Sequence, residues 1–225
     1  MILMKEVSKS YYLSKTIAVE ALKDISLEIE SGEFVSIKGT SGAGKSTLLN
    51  LIGCLDIAGS GSYLFKGIDV SKMNDYELAR IRNKEIGFVF QTFNLLPNLT
   101  ALRNIELALS YNRSLDRRDY QRLAHRVLDQ VGLKQRAHHR PSELSGGEQQ
   151  RVAIARAIVN DPSVILADEP TGNLDEKTGR QIMEILKTLN KKGTAILMVT
   201  HDESVAGFAN RQVILADGRI VSDQG

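Results

Sequence analysis

A chain of 225 residues, 42% hydrophobic and 25% charged, can bury the core of one large α/β domain, and this composition excludes collagenous and disordered classes. A net charge of +2 with no lysine/arginine block argues against nucleic-acid binding. The single cysteine, Cys54, excludes an internal disulfide framework and fits a reducing compartment; no stretch reaches membrane-spanning length, and the early charges Lys5, Glu6 and Lys9 leave no signal-peptide core.

Residues 2–7 and 22–29 alternate apolar with polar side chains and read as antiparallel strands, and Ser31-Gly32 turns the chain into a third strand over 33–38. A glycine-rich loop follows, Gly39-Thr40-Ser41-Gly42-Ala43-Gly44-Lys45-Ser46. Thr47 and the apolar residues to Ile52 then read as the first turns of a buried helix, on which Cys54 is small apolar filler. Residues 59–67 carry hairpin chemistry, and 86–90 read as a strand that ends at Gln91. From 100 to 132 the apolar residues Tyr120, Leu123, Val127, Leu128 and Val131 recur at helical steps. Arg113, Arg117 and Arg118, interleaved with Asp116 and Asp119, read as a solvated helix face. Residues 164–167 and 194–199 are continuous apolar runs, the pattern of buried parallel strands, with a helix over 175–190 between them. Asp217-Gly218 marks a closing hairpin.

The glycine loop is a complete phosphate-binding motif in its proper setting of strand, loop and helix. Its backbone N–H groups converge on an oxyanion, and the helix that follows adds partial positive charge. Lys45 is suited to the β- and γ-phosphates, and Ser46 to Mg²⁺. The strand ending in Asp168-Glu169 presents two acids at a sheet's carboxyl edge, where α/β folds bind ligands. Asp168 is expected to hold Mg²⁺ directly or through water, and Glu169 to orient and polarise the water that attacks the γ-phosphorus. His201, after another apolar run, is placed to bond the γ-phosphate or that water. Gln91 can reach Mg²⁺ through its side-chain carbonyl. His125, His138 and His139 have no metal-ligand pattern and read as surface residues. Ser145-Gly146-Gly147 precedes a helical run over 152–159 and so makes a second anion site at a helix N-terminus. One nucleotide needs one such cradle, and a second cradle points to a second molecule.

The segment Leu144-Ser145-Gly146-Gly147-Glu148-Gln149-Gln150-Arg151 resembles the signature motif of ATP-binding cassette (ABC) ATPases, and the likeness extends over essentially the whole chain. Tyr11 resembles the aromatic that stacks on adenine; Tyr12 is the neighbouring alternative, and either could be a plain strand residue. Gln91 sits where the family's glutamine loop lies, Gly172-Asn173-Leu174-Asp175 resembles the loop that contacts the other protomer, and Thr200-His201-Asp202 resembles the switch-histidine segment. Two departures are Glu148, where glutamine is commonest, and Asn173, in place of a frequent small residue.

Residues 52–56, 90–97 and 167–175 are similar to the branch holding macrolide-export, lipoprotein-release and cell-division ATPases, most of all to the first two. The resemblance implies an α/β fold: a phosphate-loop NTPase core with a mostly parallel sheet and an N-terminal antiparallel β subdomain (1–92 and 145–225), and an inserted α-helical subdomain (93–144). It implies a magnesium-dependent ATPase whose nucleotide is held by Tyr11, by residues Gly39, Thr40, Ser41, Gly42, Ala43, Gly44, Lys45, Ser46 and Thr47, by Gln91, and by Ser145, Gly146 and Gly147 of a second copy. Glu169, His201 and Lys45 are the implied catalytic residues, and Ser46, Gln91 and Asp168 the implied metal ligands. The implied partners are a second copy in an ATP-bound homodimer, a transmembrane permease and extracytoplasmic components, with the chain at the cytoplasmic face of the inner membrane. The alternative is an ATPase that regulates a membrane-linked cell-wall or cell-division complex without transport. Phe93, Leu95, Leu96 and Pro97 could form the docking groove or pack inside the helical lobe.

Overall fold

The computed structural model describes residues 1–12 and 18–225. Strands β1 (Ile2–Tyr12) and β2 (Ala18–Ile29) run antiparallel, as their alternation predicts, and a sheet in the order β2-β1-β4-β5 is completed by the hairpin β4 (Ser60–Phe65) and β5 (Ile68–Asp69). The second sheet has the order β10-β9-β3-β8-β7-β6. It contains β3 (Phe34–Lys38), β6 (Ile86–Phe90), β7 (Val164–Asp168), β8 (Ala195–Val199), β9 (Arg211–Ala216) and β10 (Arg219–Gln224). Five of these strands are mutually parallel, and β10 folds back antiparallel to β9 through the hairpin at Asp217-Gly218.

The central strands are apolar throughout because both faces are covered. Ile165, Ala167, Ile196 and Met198 point into a layer of helices, whereas Val164, Leu166, Leu197 and Val199 point toward the antiparallel sheet. Successive residues of one strand thus feed two cores, and each fully buried Leu, Ile or Val stabilises the fold by roughly 1.5–3 kcal/mol. The antiparallel side also receives α1 (Lys45–Ile52), whose Leu48, Leu49, Leu51 and Ile52 are buried. The helical side holds α3 (Ala101–Ser110), α4 (Tyr120–Gln130), α5 (Gly146–Ile158) and α6 (Glu176–Lys191). Leu123, Val127 and Leu128 on α4 meet Ile105 and Leu109 on α3, so the helical spacing of these residues becomes a packed face.

Four local readings change. The helical stretch over 100–132 is two helices, because the Asn112 side-chain Oδ1 accepts from the Ser114 N–H and hydroxyl and draws the chain out of the helix. Arg113 therefore lies in a turn, and Arg117 and Arg118 in a 3₁₀ segment (Arg117–Asp119) that leads into α4; Asp116 caps that segment through the Arg118 N–H and pairs with the Arg118 guanidinium. Cys54 is buried as expected, but it follows the end of α1 in a left-handed turn, with φ 53°. Helix α2 (Asp75–Glu85) was not foreseen; its start is fixed by reciprocal bonds between Asn74 and Glu77. The short α7 (Glu203–Ala206) is capped by Asp202.

Candidate active site

Parallel strands put their carboxyl ends on one edge, and here the register makes that edge a row. Ile37 pairs with Val199, Val199 with Asp168, and Asp168 with Phe90. The chain leaves this row as the glycine loop after β3, Thr200-His201 after β8, Glu169 after β7 and Gln91 after β6. Four segments distant in sequence, each holding an expected site residue, are thereby set side by side.

The loop needs its glycines for two different reasons. Gly39 has φ 152°, and a Cβ there would stand 2.2 Å from the Leu215 carbonyl oxygen; Gly44 has φ 100°, and its Cβ would stand 2.5 Å from the Ala21 carbonyl oxygen. Gly42 faces open space, but its φ of 80° is left-handed. Gly44 is the N-cap of α1 and supplies no side-chain acceptor, so the first N–H groups of that helix are left for a bound anion. Thr40, Ser41 and Ser46 are exposed, Thr47 is half-buried, and Ala43 anchors the loop in the core. Lys45 Nζ donates to the Gly39 and Thr40 carbonyl oxygens, 2.8 Å each.

Asp168 ends β7 half-buried. Burial, then the charge of Glu169, push its carboxyl above the usual carboxylate value, and the Lys45 ammonium opposes them. A carboxylate strained in this way is stabilised by an added cation. Among the described residues no group of three or more His, Cys, Asp or Glu side chains could hold a metal ion. The donors present on this edge are the Ser46 hydroxyl, the Gln91 amide and the one carboxylate of Asp168, a hard-oxygen set that fits Mg²⁺ completed by water and phosphate oxygens. Glu169 adopts a left-handed backbone, φ 48°, with its N–H bonded to the Val199 carbonyl at 3.0 Å. Its carboxylate reaches His201 Nδ1 at 2.8 Å, and this hydrogen bond, with the attendant charge, raises the imidazole pKa. Such a pair can hold a water and shift a proton.

Gln91 and Asn173 are joined by two bonds: Gln91 Nε2 donates to Asn173 Oδ1 at 3.3 Å, and Asn173 Nδ2 donates to the Gln91 backbone carbonyl at 3.0 Å. The departure at Asn173 thus has a structural part. At α5, Ser145 is the N-cap; its hydroxyl accepts from the Glu148 N–H, and Glu148 accepts from the Ser145 N–H at 2.9 Å and from Arg136 Nε at 3.0 Å. Those bonds, the Ser145 backbone first, hold the Glu148 carboxyl below its usual range. Gly146 and Gly147 form the first turn of this helix rather than a loop before it, and a Cβ on Gly147 would stand 2.3 Å from the Thr178 methyl. Tyr11 donates its phenol to Asp56 Oδ2 at 2.8 Å, with Lys9 Nζ 5.1 Å from its ring centroid, whereas Tyr12 is 79% exposed against 37% for Tyr11. Tyr11 is the held ring of the two.

Sequence reasoning missed three supports of this edge. Asp56 holds Tyr11. Gln150, fully buried, donates to the Pro170 carbonyl at 2.6 Å. Arg156 bonds the carbonyls of Phe93 and Asn94. A charged residue inside the apolar run 152–159 was the available signal for Arg156.

A glycine loop between parallel strand and helix, with an acid pair on the same sheet edge, defines a phosphate-loop nucleoside triphosphatase. The ABC transporter family model matches residues 22–172. An ABC transporter ATP-binding protein of Bacillus subtilis, YvrO, is 51% identical over 224 residues, covering 100% of this chain and 97% of that protein. The macrolide export ATP-binding/permease protein MacB of Bdellovibrio bacteriovorus is 49% identical and also covers 100% of this chain, which spans only 34% of it. Among solved structures, the dimeric post-hydrolysis state of the ATP-binding cassette MJ0796, bound to ADP and Pi, superposes with a TM-score of 0.91 at 46% identity, covering 100% of this chain and 98% of that one. The chain belongs to the ABC transporter family, as an ATP-binding cassette that hydrolyses ATP.

Proposed function

We propose that two copies of this chain close head to tail on two ATP molecules, and that hydrolysis loosens them and drives a permease from the cytoplasmic face of the membrane. The position of Ser145 carries this reading. The phosphate loop follows β3, whereas α5 packs on β6, where Gly87 lies against the Ala157 carbonyl. The loop glycines lie against Ala21, Leu22 and Leu215, whereas the first turn of α5 lies against Phe93, Leu174 and Thr178, so the chain carries two anion cradles with separate surroundings where one nucleotide needs one. A two-fold pair resolves this, each nucleotide lying between one chain's loop and the other's Ser145, Gly146 and Gly147.

In this arrangement Tyr11 stacks on adenine and the loop N–H groups cradle the phosphates, with Lys45 turning from the Gly39 and Thr40 carbonyls to the β- and γ-phosphates. A Mg²⁺ ion held by Ser46, Gln91 and Asp168 would supply positive charge to the phosphate oxygens. Glu169 accepts the proton of the attacking water, and His201 orients that water or bonds the γ-phosphate.

A permease would dock in the groove of about 780 Å³ between α2 and the end of α3. Leu55, Tyr76, Phe88 and Tyr111 give it apolar walls, and Arg80 and Lys84 a basic rim. Asn83, on the same groove, has a buried carbonyl oxygen without a partner among the described residues. A helix bearing apolar and acidic side chains fits that chemistry. Of the four residues read as a docking patch, Leu95 packs onto the core and Phe93 is half-buried, while Leu96 and Pro97 remain on the surface. No helix among the described residues is long and apolar enough to cross a membrane. The similarity to MacB supports export or extraction of a drug-like, peptide or lipoprotein substrate. Affinity purification of tagged Glu169→Gln protein from native membranes with ATP and Mg²⁺ tests this. A permease in the purified complex is expected; soluble proteins alone would remove the transport reading and leave the ATPase.

A further inference from the structure

The loop after Gln91 has an unusual backbone. Phe93 and Asn94 both sit in the left-handed region, at φ 60° and φ 48°, and neither is glycine. Two adjacent residues of this kind persist only where their surroundings over-determine them. Local bonds contribute: the Asn94 N–H donates to the Thr92 carbonyl at 2.6 Å, the Phe93 N–H to the Phe90 carbonyl at 3.2 Å, and the Thr92 hydroxyl to Asn94 Oδ1 at 3.0 Å. The long-range hold comes from α5. Arg156 Nη2 donates to the Phe93 carbonyl at 2.9 Å, and Nη1 donates to the Asn94 carbonyl.

Arg156 is anomalous in its own right. It sits in the last turn of a helix whose neighbouring residues Ile154, Ala155, Ala157 and Ile158 are buried, and no ion pair among the described residues includes it. Burial alone lowers its pKa. A half-buried guanidinium without a carboxylate is unfavourable unless its N–H groups are satisfied, and here the two strained carbonyls accept from it. Two consecutive residues of one helical sense direct their carbonyls to the same side, whereas an extended chain turns them to opposite sides, so a planar fork can grip both in the helical form observed here and not in an extended one.

We infer that Arg156 is a positioning residue that holds the Gln91 loop in its left-handed form and fastens it to the C-terminal end of the helix whose N-terminus is Ser145. The loop and the signature motif then move as one body, and Gln150, bonded to the Pro170 carbonyl just beyond Glu169, ties the middle of the same helix to the acid pair's strand end. Arg156 touches no reacting atom; it acts through Gln91 and Ser145, and its effect on dimerisation rests on the proposed ATP-sandwich reading.

The test uses the full chain in a Glu169→Gln background. Amide hydrogen exchange of residues 91–96 is followed without nucleotide, monomer ATP affinity by titration, and ATP-dependent dimerisation by sedimentation. Arg156→Gln is expected to raise loop exchange at least about tenfold and to raise the protein concentration needed for the dimer by a similar factor, with monomer ATP affinity changed less than about twofold. Adding Asn94→Gly, which makes the left-handed backbone intrinsically accessible, is expected to recover a substantial part of both losses. Asn94→Val keeps Arg156 in place on an exposed position and carries the test if Arg156→Gln does not fold; it is expected to reproduce both losses. Unchanged loop exchange in Arg156→Gln, or losses that Asn94→Gly does not relieve, would overturn the inference. If exchange responds as expected but Gln91→Ala dimerises normally, it is the proposed role of Gln91 in holding Mg²⁺ within the ATP-bound dimer that fails, and the positioning role stands.

Discussion

His201 Nδ1 lies 2.8 Å from Glu169 Oε1, so the ends of β8 and β7 are joined by a pair whose charge depends on pH. The hydrogen bond to Glu169 raises the histidine pKa above its usual 6.5. The paired, charged form is therefore complete below that ordinary value and is lost as pH rises through the raised one. In nucleotide-free protein, an NMR titration of His201 is expected to give a pKa above 6.5, and Glu169→Gln is expected to bring it down. An unchanged titration in the variant would mean that the two side chains do not meet in solution.

Gly44 carries two constraints at once, φ 100° and a 2.5 Å approach of any Cβ to the Ala21 carbonyl oxygen. Gly44→Ala is expected to destabilise the fold by about 1–3 kcal/mol and to weaken ATP binding by at least about tenfold. Thermal unfolding and nucleotide titration check the two parts separately.

Tyr11 is held by Asp56, which Lys9 in turn grips at 2.5 Å. If the ring is the adenine platform, Asp56→Ala releases it and forfeits part of a stacking contact of about 0.5–1.5 kcal/mol. ATP affinity is expected to fall by up to about tenfold while tripolyphosphate affinity is unchanged. Equal losses for both ligands would place the effect in the phosphate loop.

Burial pushes the Cys54 thiol up to about 11. A thiol that is both protonated and enclosed is unreactive. Native protein at pH 8 is expected to resist a thiol-specific disulfide reagent and to react fully once unfolded in guanidinium; rapid reaction of the native protein would contradict the enclosed turn after α1.

The parts legible in the sequence were those whose physics is local. The phosphate loop declares itself through glycine spacing, and the runs before Asp168 and His201 through unbroken apolarity. Which strands become neighbours is not local: the row joining Ile37, Val199, Asp168 and Phe90 exists only after parallel pairing between residues 31 to 162 positions apart. Helix α2 was obscured because only Leu78 on it is buried, leaving no apolar stripe to read. The helix break at Asn112 depends on one side chain folding back on Ser114, a competition that periodicity does not register. Arg156 was hidden for the opposite reason, since its partners are backbone carbonyls that carry no residue code.

The most direct test of the two-copy site is sedimentation velocity of Glu169→Gln protein with and without ATP and Mg²⁺, beside the same protein carrying Ser145→Arg. Loss of the general base is expected to slow turnover by about 10²–10⁴-fold and so preserve the ATP-bound state. The account predicts a dimer that appears only with ATP, and its loss in the Ser145→Arg protein while monomer ATP affinity is retained. A Glu169→Gln chain that stays monomeric at saturating ATP, or a Ser145→Arg chain whose monomer no longer binds ATP, would contradict it.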